Sequence, residues 1–135
     1  MPSIKLRKDV PVASQWDLTP LYKNQKDFEE HLNRFLDIDS TQRWSHLTTL
    51  KSSFKNSCTT IKNTLKIYFD TDRELSQLYT YAHLKLDEDL SNEISKILFQ
   101  KICTLYQDFA SASSWIEPEV LSIESSHLEE MVANP

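Results

Sequence analysis

The chain has 135 residues, which is long enough for one domain with its own hydrophobic core. No apolar run exceeds three residues, which excludes a membrane-spanning helix within this sequence. The chain contains no glycine, whereas average usage would give about nine in this length. The absence of glycine excludes phosphate-binding loops, dinucleotide-binding motifs and the glycine elbow around a nucleophilic serine.

Charge is distributed unevenly along the chain. The net charge of −5 disfavours nucleic acid as a partner. Residues 47–69 carry lysines without any acidic residue, whereas no lysine or arginine follows Lys101. The acidic residues after Lys101 are Asp108, Glu117, Glu119, Glu124, Glu129 and Glu130. Such runs are usually solvated faces; the alternative is that the acidic end faces a basic partner.

The two cysteines, Cys58 and Cys103, occupy apolar helical positions and lack metal-type spacing. They predict buried thiols in a cytoplasmic protein.

The start of the chain divides into an arm and a helical domain. Residues 1–15 show no consistent period and predict a flexible arm, and residues 16–135 predict one helical domain. Thr19 before Pro20 is a candidate helix cap. From Lys26 onward the apolar residues follow a helical period, which fades at residues 37–40. These periodic residues are Phe28, Leu32, Phe35 and Leu36.

Two helices are predicted in the middle of the chain. Apolar residues from Trp44 to Tyr68 advance in steps of three and four, which predicts one long helix with its lysines on the opposite face. The polar residues 70–74 interrupt this pattern. Within them Thr71 and Glu74 form a capping box, which predicts that a new helix begins there and continues to Leu86.

The last third of the chain predicts a fourth helix and the start of a fifth. Ser91 is the candidate cap of a helix that should end near Glu117, because the residue before a proline is disfavoured in the helical conformation. Ser126 and Glu129 form a second capping box, which opens a truncated helix. The predicted fold is therefore all-α, an antiparallel bundle of four main helices plus a truncated fifth.

Residues capable of catalysis are sparse. His127 opens the segment nearest to a His-Glu-x-x-His zinc motif, but the second and fifth positions do not fit. His83 and Asp87 are four residues apart and could share a metal, yet the sequence offers no third ligand. Residues 87–89 are acidic, as is typical of a turn that caps the next helix. We therefore predict no catalytic, cofactor-binding or metal-binding residue in this chain.

Three segments of the chain carry a family resemblance. The first is Trp-Asp-Leu-Thr-Pro-Leu-Tyr at 16–22, followed by Phe28. The second is Leu-Tyr-Thr-Tyr-Ala-His at 78–83, which leads through an acidic turn to Asn92. The third is Ala-Ser-Ser-Trp-Ile-Glu-Pro-Glu-Val-Leu at 112–121. In this order and spacing they resemble the amino-terminal region of the oligoendopeptidase F family, zinc metallopeptidases related to thimet oligopeptidase.

The resemblance implies a helical, non-catalytic domain of a longer cytoplasmic endopeptidase that hydrolyses short peptides. In that family the zinc ligands and the catalytic His-Glu-x-x-His lie far downstream, so the resemblance assigns no site residue here. It implies that this domain helps to wall the substrate channel. The implied partners are the remainder of the same chain and an oligopeptide substrate, with neither nucleic acid nor membrane.

Two other interpretations remain open from the sequence. A free-standing helical interaction module would use the lysine face or the acidic end to bind a partner, and would have no enzymatic activity. A small metal-dependent helical enzyme that uses His83 and Asp87 would instead bind stoichiometric metal.

Overall fold

The computed structural model describes residues 7–134, and these contain helices and turns but no strand. The α-helices are α1 Gln25–Leu36, α2 Ser45–Thr48, α3 Cys58–Glu88, α4 Glu93–Ser113, α5 Ile116–Leu121 and α6 Ser125–Ala133. The all-α class is confirmed. None of these helices is long and apolar enough to cross a membrane.

The predicted flexible arm lies only partly within the described residues, since 1–6 fall outside them. Its remainder forms two short 3-10 turns, Arg7–Asp9 and Val12–Ser14. The guanidinium of Arg7 pairs with the carboxylate of Glu88 at the end of α3. The flexibility of the arm stays a prediction.

The long helices α3 and α4 form an antiparallel hairpin at the centre of the molecule. Tyr68 in the first half of α3 stacks on Phe109 near the end of α4, with ring centroids 5.3 Å apart. Further along α3, Tyr79 meets Phe99 near the start of α4 at 5.4 Å. Helix α1 lies against the second half of α3, where Phe28 stacks on Tyr81 at 4.8 Å. The residues in these contacts belong to, or pack against, one buried hydrophobic core.

The predicted break at residues 70–74 is wrong, because α3 runs through it without interruption. Asp70 pairs with Lys66 and Arg73 of the same helix, and Asp72 accepts the hydroxyl of Tyr106 on α4 at 2.7 Å, so these polar side chains have partners along a continuous helix. The predicted helix from Trp44 to Tyr68 is also wrong. It is interrupted after α2 and restarts at Ser57, whose hydroxyl accepts the backbone N–H of Thr60 at 3.2 Å.

The predicted end of the fourth helix near Glu117 is likewise corrected. Helix α4 ends at Ser113, and Pro118 lies in the first turn of α5, where a backbone N–H would have no helical partner. Helix α4 is capped by Asn92 instead of Ser91. The side chain of Asn92 accepts the backbone N–H of Ser95 at 3.0 Å.

Two other predicted caps also differ from the structure. Asn24 caps α1, with its side chain accepting the N–H of Asp27 at 2.9 Å, so Thr19 is not the helix cap. The N-cap position of α6 is Glu124, without a side-chain cap bond, so the box at Ser126 and Glu129 does not form.

Both cysteines are free thiols, as predicted, but they are partly buried instead of buried.

Candidate functional site

A chain of hydrogen bonds joins three titratable side chains from different parts of the fold. The hydroxyl of Tyr22 lies 2.6 Å from Nδ1 of His31 on α1. Nε2 of His31 lies 3.0 Å from a carboxylate oxygen of Glu74 on α3. Tyr22 and His31 are buried, whereas Glu74 is open to solvent. We refer to this arrangement as the Tyr–His–Glu cluster.

The protons in the Tyr–His–Glu cluster can be assigned from simple chemistry. A carboxylate only accepts hydrogen bonds, so Nε2–H of His31 donates to Glu74. In the neutral imidazole, Nδ1 then accepts the hydroxyl proton of Tyr22. Burial is the main reason that the pKa of Tyr22 is raised to about 12, so its hydroxyl keeps this proton near neutral pH.

An open polar hollow of about 550 Å³ lies beside the Tyr–His–Glu cluster. Asp27 and Arg34 of α1 line it, and Gln77 of α3 closes one side by donating to the backbone carbonyl of Leu21 at 2.8 Å. A tyrosine that holds its proton so tightly is a poor base at neutral pH. The arrangement therefore ties the segment before α1 to α3, and its geometry points to a structural role.

The segments that carry the family resemblance meet in the core. Tyr22 of the first segment packs edge-on against Tyr81 of the second, with ring centroids 5.2 Å apart. In the third segment, Trp115 lies 5.2 Å from the ring of Phe54, and Ile116 is buried. These aromatic contacts join distant parts of the chain into one core. The motif residues therefore hold the domain together.

The candidate metal pair does not form a metal centre. Nδ1 of His83 lies 3.4 Å from a carboxylate oxygen of Asp87 in a half-exposed surface pair. The imidazole also stacks on Tyr79, with centroids 5.8 Å apart. Within residues 7–134, no group of three or more His, Cys, Asp or Glu side chains could hold a metal ion. These residues do not fit a zinc site.

At the acidic end of the chain, Glu119 has a specific internal role. Glu119 of α5 accepts the backbone N–H of Ser52 at 2.8 Å with one oxygen and that of Phe54 at 3.1 Å with the other. The loop between α2 and α3 is held there, with Ser52 in the left-handed conformation at φ 69°. A second contact, from Nε2 of His127 to the carbonyl of Lys55 at 3.0 Å, supports the same loop.

Comparison with known proteins gives the following matches. No family model matches the chain. It is 25% identical to the oligopeptidase PepF of Bacillus subtilis (strain 168) over 126 residues, which is 93% of this chain and 18% of that protein. It is 29% identical to the plasmid-encoded oligoendopeptidase F of Lactococcus lactis subsp. cremoris over 119 residues, which is 88% of this chain and 19% of that protein. The chain is therefore similar, over most of its length, to one region of proteins named oligoendopeptidase F.

A solved structure supports the same relationship. The fold matches the crystal structure of a candidate peptidase from Chlamydophila abortus with a TM-score of 0.85 and 27% sequence identity. The match covers 98% of this chain but 22% of that one. The oligoendopeptidase F-like chain thus spans about a fifth of the length of the curated relatives it matches.

The Tyr–His–Glu cluster and the Glu119 contact were not predicted from the sequence. His31 and Glu74 are 43 residues apart, and Glu74 had a local explanation in a capping box. A histidine among the apolar residues of a helical face was the available signal, since His31 follows Phe28 by three residues and precedes Phe35 by four.

Proposed function

We propose that the chain is the amino-terminal, non-catalytic helical region of an oligoendopeptidase F-like zinc metalloendopeptidase that hydrolyses short peptides. One observation carries the proposal. Relatives with oligopeptidase names match 88–93% of this chain and only 18–19% of their own length. The match to a crystal structure has the same proportions. A region shared in this way is most simply one part of a larger peptidase.

The proposed role in the parent enzyme is to wall the substrate channel. The hairpin of α3 and α4 suits such a role, because the 31 residues of α3 extend over about 46 Å at 1.5 Å per residue. Aromatic contacts of Tyr68, Tyr79 and Tyr81 hold the middle of α3 against α4 and α1. Zinc, which would polarise the scissile carbonyl and activate water, would be held by residues outside this chain.

The remainder of the same chain is the proposed partner of this region, and the parent enzyme is proposed to be cytoplasmic. The acidic residues of the last helical segment support this partner. Glu124 and Glu129 are exposed and have no ion-pair partner within residues 7–134, and Glu130 has only a 3.9 Å contact with His127. A basic surface on the remainder of the chain would be complementary to them. Glu119 is excluded from this surface because its carboxylate binds this chain's own loop.

A peptide-cleavage assay tests the proposal. The 135-residue chain and the product of the complete reading frame are compared on internally quenched oligopeptides, with and without a zinc chelator. We expect cleavage by the complete product, loss of cleavage with the chelator, and no cleavage by the 135-residue chain. Cleavage by the 135-residue chain itself would contradict the non-catalytic role. A complete product that cleaves no peptide would favour the helical interaction module.

A further inference from the structure

An apolar groove runs along the surface between α3 and α5, with α4 as its floor. Its volume is about 560 Å³. Mostly apolar side chains line its walls, and two large ones stand open to solvent at its rim: Phe69 is 56% exposed and Leu121 is 76% exposed. The wall residues are Leu65, Tyr68 and Phe69 on α3, and Ile116, Val120 and Leu121 on α5. Exposed apolar side chains around a groove are typical of an interaction surface.

The two walls of this groove carry opposite charges. Lys62, which is exposed, lies one helical turn before Leu65, so it places a positive charge at the α3 side of the groove; Lys66 is paired with Asp70 on the same helix. Glu117 lies on the α5 wall and lines the groove itself. Lys62 and Glu117 are both exposed and have no ion-pair partner among the described residues. The groove is therefore complementary in charge to a copy of itself.

We propose that this groove is a self-association surface and that its occupant is a second copy of this chain. The two copies pack groove to groove, so that Phe69 and Leu121 of each are covered by the other. An interface between identical copies around a two-fold axis uses the same patch on both. A patch with one basic and one acidic wall meets this requirement.

The charges also select the orientation of the two copies. A two-fold axis parallel to the groove places the α3 wall of one copy over the α5 wall of the other, so that Lys62 faces the partner's Glu117. An axis across the groove would place α3 over α3 and bring like charges together, which is unfavourable. The proposed dimer therefore has its two-fold axis parallel to the groove.

Sedimentation velocity on the 135-residue chain tests this proposal. We expect a monomer–dimer equilibrium between micromolar and millimolar concentrations, weakened by Phe69→Ser. Lys62→Glu and Glu117→Lys should each weaken the dimer about tenfold, because each reversal affects two symmetry-related pairs. The double variant should recover most of the wild-type affinity. Glu129→Lys on α6 makes the same charge change outside the groove and serves as the matched control.

Several results would overturn the proposal. If the chain is monomeric at every concentration, a second copy does not occupy the groove and the proposal is wrong. Single reversals that match Glu129→Lys would place the interface elsewhere, and a double variant weaker than both singles would contradict the proposed orientation. Circular dichroism confirms that each variant is folded. The outcome does not depend on peptidase activity, so it is distinguishable from failure of the proposed function.

Discussion

Replacing Glu119 with alanine should destabilise the domain, although the residue lies on the surface of a short helix. Its two carboxylate oxygens accept the backbone N–H groups of Ser52 and Phe54 at 2.8 and 3.1 Å. Ser52 is held at φ 69°, a conformation that costs a residue other than glycine about 1–2 kcal/mol. Phe54, two residues later, is completely buried. The contact with Glu119 therefore holds a strained turn and positions a core side chain.

The magnitude follows from these contacts. A hydrogen bond to a charged group contributes about 1.5–3 kcal/mol, and Glu119 makes two. Because Glu119 is only partly buried, water can bond to the two N–H groups after mutation and offset part of the lost hydrogen-bond energy. We therefore expect Glu119→Ala to lower the free energy of unfolding by about 2 kcal/mol. Glu119→Gln keeps one carbonyl acceptor and should lose about half as much. Ser52→Gly should be stabilising by about 0.5–1 kcal/mol, since glycine adopts positive φ without strain.

The assay is urea unfolding followed by circular dichroism, with thermal unfolding in parallel. Glu119→Ala should lower Tm by roughly 6–10 °C for a chain of this size. Glu129→Ala removes the same side chain from an exposed position on α6 and should change the free energy of unfolding by less than about 0.5 kcal/mol. Equal stability of Glu119→Ala and Glu129→Ala would refute the reasoning.

Three further substitutions test other parts of the fold. Tyr22→Phe should reduce the loss of stability at high pH. Because the pKa of Tyr22 is raised in the folded state, its hydroxyl contributes fully to the free energy of unfolding below pH 10. This contribution is lost as the pH rises to about 12. The wild type should lose on the order of 2 kcal/mol more than the variant in pH-dependent urea unfolding, and equal losses would contradict the burial of this hydroxyl. Ser57→Ala removes a helix cap and should lower the free energy of unfolding by about 1 kcal/mol, whereas Thr71→Ala inside α3 should be nearly neutral in the same measurement. A larger loss of stability for Thr71→Ala than for Ser57→Ala would instead indicate a helix break at residues 70–74.

The sequence predicts the class of the fold well because helical periodicity is a local property. The spacing of Phe28 and Leu32 predicts α1, and both are buried as expected. The break in the middle of the chain was misplaced because polar residues at a helix start and on a solvated helix face look alike. Asp70 belongs to the second kind, through its pairs with Lys66 and Arg73. The structure distinguishes the two cases, because α3 is continuous from Cys58 to Glu88.

The polar contacts that join distant segments could not be predicted from one sequence. The Tyr–His–Glu cluster depends on the docking of α1 against α3, and the Glu119 contact spans 65 residues or more. Neither leaves a local signal, because each depends on where two helices lie in space. The family resemblance is confirmed by the similarity to oligoendopeptidase F relatives and to a solved peptidase structure, and its motif residues Tyr22 and Tyr81 pack together in the core. The same residues form core contacts and carry no chemistry of hydrolysis in this chain.

The most direct test of the account is to sequence the reading frame beyond the codon for Pro135. The account predicts several hundred further codons that include a His-Glu-x-x-His motif, as expected if this chain forms about a fifth of an oligopeptidase. A stop codon shortly after Pro135 would contradict it, and the protein would then be a helical interaction module.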